Sequence, residues 1–185
     1  MKKEVKSILD ILLRYSILIL IGIFGIGIFY FLFLPLTIYP VFFLLKIFFN
    51  PTLVYNTILI NSFQIEIIEA CVAGSAYYLL LILNLSTRGI KLEKRIKMLL
   101  FSFLLFLIVN VLRTFLLSIL FVSGVSFFDV AHKLFWYVGS VVFVVGIWFF
   151  SVKMFKAREI PFYSDALSLL KSGKKIKKTK SSKKH

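Results

Sequence analysis

Long apolar runs separated by short polar or basic stretches dominate the chain. Residues 11–34 are apolar except for Arg14 near their start. The run exceeds the roughly 20 residues that a helix needs to cross a bilayer. It is too long for a signal-peptide core, and no small-x-small cleavage site follows it, so an uncleaved span ending at Pro35 is expected. Residues 36–50 are apolar and aromatic but short, with Lys46 inside and Pro51 closing them. An interfacial helix is expected there. In residues 53–69 the pattern changes to a period of two, with Gln64 and Glu66 alternating with Phe63, Ile65 and Ile67. This predicts a small β-hairpin with one polar face and a turn at Asn61-Ser62. Lipid cannot satisfy its edges, so it belongs outside the hydrocarbon layer.

Three further spans follow. Residues 70–87 carry no charge, and the basic stretch RGIKLEKRIK separates them from the next apolar run. That run extends from 98 to 128, interrupted only by Arg113, and is too short for two crossings. A third span at about 97–120 and a short outer loop at 122–130 are expected. The fourth span covers about 132–152, with Lys133 at its entrance. Residues 153–185 form a basic tail. The fold class is therefore an all-α polytopic membrane protein. It has four transmembrane helices, an interfacial helix and an extracytoplasmic β-hairpin, in one membrane domain over residues 1–152.

Composition supports this reading. Hydrophobic residues make up 60% of the 185-residue chain and the mean hydropathy is +0.96. The formal charge of +15 suggests nucleic-acid binding until the charges are placed. Of the 23 Lys and Arg, only Lys46, Arg113 and Lys133 lie outside the N-terminal turn, the 88–97 loop and the tail. That is the positive-inside pattern: both termini cytoplasmic, in a multi-pass protein of the plasma membrane. Anionic lipid headgroups then account for the basic segments, and no nucleic acid is needed. The single cysteine excludes an intramolecular disulfide. No phosphate-binding loop or metal-ligand cluster is present in the sequence, and no cofactor is expected.

Three chemically capable residues fall at one depth. At 1.5 Å of rise per residue, Arg113 lies about 24 Å above the cytoplasmic Lys97, Cys71 about 26 Å above Arg88 and His132 about 31 Å above Lys153. Each is on a different helix, near the outer edge of a layer about 30 Å thick. A thiol with a free pKa near 8.5 must ionise to become a nucleophile. A neighbouring Arg stabilises a thiolate or an oxyanion, and stays charged in a poor dielectric. A His serves as general base toward the thiol and general acid toward the leaving amine. Asn110, one turn before Arg113, either orients the Arg or satisfies backbone. Gly74 would let a substrate backbone approach, with Ser75 beside it. Glu66, Glu69 and Asp129 are the outer acids. Each of the three has a plainer reading: an inert small hydrophobe for Cys71, a snorkelling cation for Arg113 and an interfacial residue for His132.

The segments FQIEIIEACVAGS (63–75), NVLR (110–113) and AHKLFWYVG (131–139) resemble the exosortase/archaeosortase family. Its members are multi-pass membrane proteins with a Cys, an Arg and a His in that order. Members more often carry Ser-Gly directly after the Cys, where this chain has Val72-Ala73. The resemblance implies a membrane cysteine peptidase or transpeptidase with Cys71 as nucleophile through a thioester, Arg113 as stabiliser and His132 as acid/base. It implies as partner an exported protein with a C-terminal sorting signal: a short motif, an apolar helix and a basic cluster. The acceptor is an amine, a lipid-like molecule or water.

Two other classes stand beside it. One is a non-enzymatic membrane scaffold or assembly protein in which Arg113 pairs with a partner's acid. The other is a small transporter. No internal repeat and no span broken at mid-depth by Gly or Pro favours the latter.

Overall fold

The computed structural model describes residues 2–24, 27–87 and 90–156. Helix α1 runs over Lys2–Phe24 and α2 over Gly27–Leu45. Three strands follow: β1 (Thr52–Val54), β2 (Thr57–Ile60) and β3 (Phe63–Glu66). A single helical turn, α3 (Glu69–Val72), leads into α4 (Gly74–Ser86). Helix α5 (Leu92–Val122) is the longest. Helix α6 (Phe128–Leu134) continues through a π-helical turn at Phe135–Gly139 into α7 (Ser140–Met154). The chain is mostly helical, with four helical segments long and apolar enough to cross a membrane: Gly27–Leu45, Glu69–Ser86, Leu92–Val122 and Phe128–Met154.

The first of these corrects the expectation. The helix does not end at Pro35, and residues 36–50 are not a separate interfacial helix. Residues 11–34 instead divide between α1, whose apolar stretch is only Ile11–Ile23, and α2, which takes in both Pro35 and Pro40. The α2 residues Phe29, Phe33, Thr37, Val41 and Leu45 are buried at every fourth position, while both prolines face outward. Each proline removes one ladder bond. In apolar surroundings, abandoning the helix would strand many more backbone groups, so the helix persists.

The other boundaries shift less. Helix α5 begins five residues before the expected 97, because LEKRIK is itself helical: Lys97 Nζ donates to Glu93 Oε1 at 2.6 Å across one turn. The fourth segment starts at Phe128 rather than 132. The expected hairpin is a three-stranded antiparallel sheet in the order β1-β2-β3. Its β2–β3 turn is the expected Asn61-Ser62, with Asn61 at φ 54°. Strand β1 has three residues, too few to show a period. The tail from residue 157 onward lies outside the described residues.

Contacts fix the helix directions. Arg95 Nη1 donates to the carbonyls of Asn84 and Leu85, and Asn110 Nδ2 to that of Cys71, so α4 and α5 are antiparallel. Ser102 and Ser151 share a hydrogen bond of 2.8 Å, and Arg113 reaches Ser140, so α5 and α7 are antiparallel too. Phe29 and Phe33 pack on Phe103, and Phe48 on Phe115, which sets α2 parallel to α5. Tyr77 fills the centre, stacked on Phe33 at 3.7 Å and edge-on to Phe106 at 4.9 Å. Arg14, Leu85 and Arg95 meet at one end of the bundle. The sheet, Cys71 and Arg113 gather at the other. Large apolar side chains such as Phe31, Phe43, Leu104 and Phe149 cover the outer faces, which is compatible with a multi-pass membrane protein.

Among packed helices in lipid, small residues permit close approach and a shared hydroxyl bond is worth about 0.6 kcal/mol. Ser102→Ala should therefore lower stability by about that amount, whereas Ser102→Leu should cost several times more by separating α5 from α7. Unfolding of the purified protein in mixed micelles measures both.

Candidate functional site

Cys71 sits in the one-turn helix α3, immediately before a break. Its own N–H donates to Ile68 O at 2.9 Å. Two residues later Ala73 takes φ 58° and ψ 45°, the left-handed region that favours glycine. This reversal ends α3 and lets α4 start afresh at Gly74. The continuous helix expected from residue 70 is thus two pieces. A helix end leaves its last carbonyls without intrahelical donors. Here those carbonyls are supplied from α5. Asn110 Nδ2 donates to Cys71 O at 2.8 Å and to Val72 O at 3.4 Å. Arg113 Nη2 makes longer bonds of 3.4 Å to Ala70 O and Cys71 O. Its Nη1 donates to Ser140 Oγ at 3.2 Å.

Asn110 and Arg113 are both buried, and Arg113 Nε has no hydrogen-bond partner among the described residues. Thr114, one residue on, has a buried hydroxyl in the same condition. Asn110, Thr114 and Ser118 recur at every fourth position, so they share the inward face of α5.

One cavity of about 220 Å³ opens beside this cluster. Cys71, Arg113 and His132 all line it, together with Gln64, Glu66 and Thr114. Phe121, Phe128 and Trp136 provide apolar wall. His132 is exposed at the rim, stacked on Phe128 with the rings 5.6 Å apart and nearly parallel. Among the described residues it makes no hydrogen bond with Cys71 or Arg113. The cavity therefore gathers the three residues, but only Arg113 is bonded to the Cys71 segment. Asn110 holds that segment from behind. Gly74 and Ser75 lie elsewhere: Gly74 is buried in α4, and Ser75 lines a second cavity with Tyr30, Glu69 and Ser140. The reversal at Ala73 turns them away.

Sequence reasoning did not single out Ser140, Thr114 or Ser118. The four-residue spacing of Asn110, Thr114 and Ser118 could have revealed the last two. Ser140 has no such signal, because the π-turn before it changes the helical phase: Ser140 N–H bonds back five residues to Phe135 O. Phe128 and Trp136, which wall the cavity, were not singled out as site residues either. No metal-ligand cluster of His, Cys, Asp and Glu occurs among the described residues.

Ala73→Gly should stabilise the protein by about 1 kcal/mol or less, since glycine relieves the left-handed strain but loses more chain entropy on folding. Asn110→Ala should destabilise it by about 1–3 kcal/mol by leaving buried carbonyls short of a donor. Thermal unfolding in detergent compares the two. No family model, curated protein or solved structure matches the chain.

Proposed function

We propose that the protein is a membrane cysteine peptidase or transpeptidase that acts on C-terminal sorting signals of exported proteins. The observation that carries this reading is the single cavity lined by the only cysteine, a buried arginine and a rim histidine from three different helical segments. The order of these residues agrees with the exosortase/archaeosortase resemblance. The charge pattern supports cytoplasmic termini and a cavity that opens at the outer face.

His132 takes up the proton of the Cys71 thiol, and the thiolate attacks the scissile carbonyl, forming a C–S bond as the carbonyl electron pair moves onto oxygen. Arg113 faces that oxyanion, with Nε as the donor not already engaged. Collapse expels the C-terminal fragment as an amine, which takes a proton from His132 at the rim. An amine, a lipid-like nucleophile or water then attacks the thioester and frees the thiol. Membrane lipid surrounds the helices and holds the signal's apolar segment beside them.

A second reading, a non-enzymatic scaffold, draws on the bonds of Arg113 to Ser140 and to the backbone of Ala70 and Cys71. Those bonds give the arginine a structural task without any chemistry.

Two substitutions separate the readings. Cys71→Ala should abolish processing of an exported substrate while the protein stays folded and inserted. Arg113→Gln keeps a planar donor for the carbonyls but removes the charge; it should leave the fold intact and lower the processing rate by about 100-fold or more. Full processing by Cys71→Ala would end the peptidase reading. A membrane-impermeant maleimide should label Cys71 from outside intact cells, and labelling only from the cytoplasmic side would reverse the topology.

A further inference from the structure

The sheet beside Cys71 ends in an unpaired edge. Strand order is β1-β2-β3, so β3 has a partner on one side only among the described residues. Ile67 N–H donates to Asn56 O at 2.8 Å, and Ile65 pairs with Ile58 in the same ladder. Hydrogen-bonded and non-hydrogen-bonded pairs alternate along an antiparallel ladder. Ile65 and Ile67 therefore turn their backbone groups toward β2. Gln64 and Glu66 turn theirs away, each presenting one N–H and one C=O to the free edge.

That edge runs along the Cys71 cavity. Successive strand side chains point to opposite faces, so a cavity against one face touches alternate residues. This cavity is lined by every residue from Gln64 to Ile68, and it continues to Cys71 and Arg113. Consecutive lining residues mean that it follows the edge rather than a face.

We propose that the β3 edge takes an extended segment of the substrate as a fourth strand and leads its scissile carbonyl to Cys71. This rests on the peptidase reading and deepens it. Donors and acceptors at Gln64 and Glu66 match an extended backbone, whatever its side chains. Side chains directly opposite across such a pair share a face. A Lys or Arg opposite Glu66, which is exposed and has no ion pair among the described residues, is thus the complementary choice. Side chains on the other face of the added strand meet the apolar wall around Leu117 and Phe121. The substrate class is an extended peptide with a basic residue opposite Glu66 and apolar residues on its other face.

The probe is a biotinylated Val-Lys-Val-Thr chloromethyl ketone added to the full-length protein in lipid nanodiscs. The Cys71 thiolate displaces chloride and a thioether forms, so labelling reads reach to Cys71 without turnover. Methylating the peptide nitrogens at alternate positions removes the donors on one side of the strand. One alternation should slow labelling about tenfold and the other should leave it unchanged. Gln64→Pro, which blocks an outward N–H but spares the ladder to β2, should slow peptide labelling about as much while iodoacetamide labels Cys71 at the unaltered rate. Equal rates for the two methylated peptides, or peptide labelling unaffected by Gln64→Pro, overturn strand addition. If Cys71→Ala abolishes processing and the methylated peptides react equally, strand addition alone fails. If the peptides differ as expected and Cys71→Ala still processes substrate, the peptidase reading fails instead.

Discussion

The carbonyl of Cys71 accepts hydrogen bonds from Asn110 and Arg113, and the candidate site is organised around that acceptor. The left-handed turn at Ala73 ends a helix inside an apolar segment and frees carbonyls that apolar neighbours cannot satisfy. Donors must come from a neighbouring helix at a fixed height. Helix α5 provides them one turn apart, which sets the register of α4 against α5. Ser140 then takes the other side of the guanidinium and brings α7 to the same level. Three helices are thus aligned by the hydrogen-bond needs of one broken turn.

The break also sets which residues face the cavity. Before Ala73, the chain runs from β3 through Ile68 to Cys71 along the cavity wall. After it, Gly74 and Ser75 start a new helix whose first turn points elsewhere. The π-turn has a similar effect on the facing element. Its wider turn alters the helical phase between His132 and Ser140, so that His132 and Trp136 border the cavity while Ser140 bonds Arg113. Irregular backbone on both sides of the cavity, α3–α4 and α6–α7, is where such segments concentrate at working sites.

Much of this was legible in the chain because lipid-facing and polar segments differ so sharply in composition. The number of long apolar helices, the turn at Asn61-Ser62 and the polar side chains of Gln64 and Glu66 all follow from simple patterns. The depth count brought Cys71, Arg113 and His132 to one level, and they do share a cavity. The first span was misplaced because Pro35 is a strong stop in water but a local fault in an apolar medium. The Ala73 reversal was invisible because nothing in an alanine marks a position at φ 58°, where glycine is the usual residue. Gly74, expected to let a substrate backbone approach, is a buried helical residue. His132 was paired with Cys71 by height alone, and height says nothing of the rotation that leaves it on the rim.

Arginines occupy both ends of α4, and the contrast bears on what Arg113 does. Arg14 and Arg95 donate to carbonyls at the C-terminal end, where the helix dipole favours a cation. Arg113 stands near the N-terminal end, where the dipole of α4 opposes it. Capping the freed carbonyls does not require a charge: Asn110 already makes the shorter bond to Cys71 O at 2.8 Å. A neutral amide at position 113 would satisfy the remaining acceptors without the cost of burying a guanidinium, which exceeds that of a neutral donor. No carboxylate pairs with Arg113 among the described residues, and its Nε remains unpartnered. Glu66 lines the same cavity without an ion pair to Arg113 among the described residues, so under the proposed reading the guanidinium gains its counter-charge only when a thiolate or an oxyanion forms at Cys71.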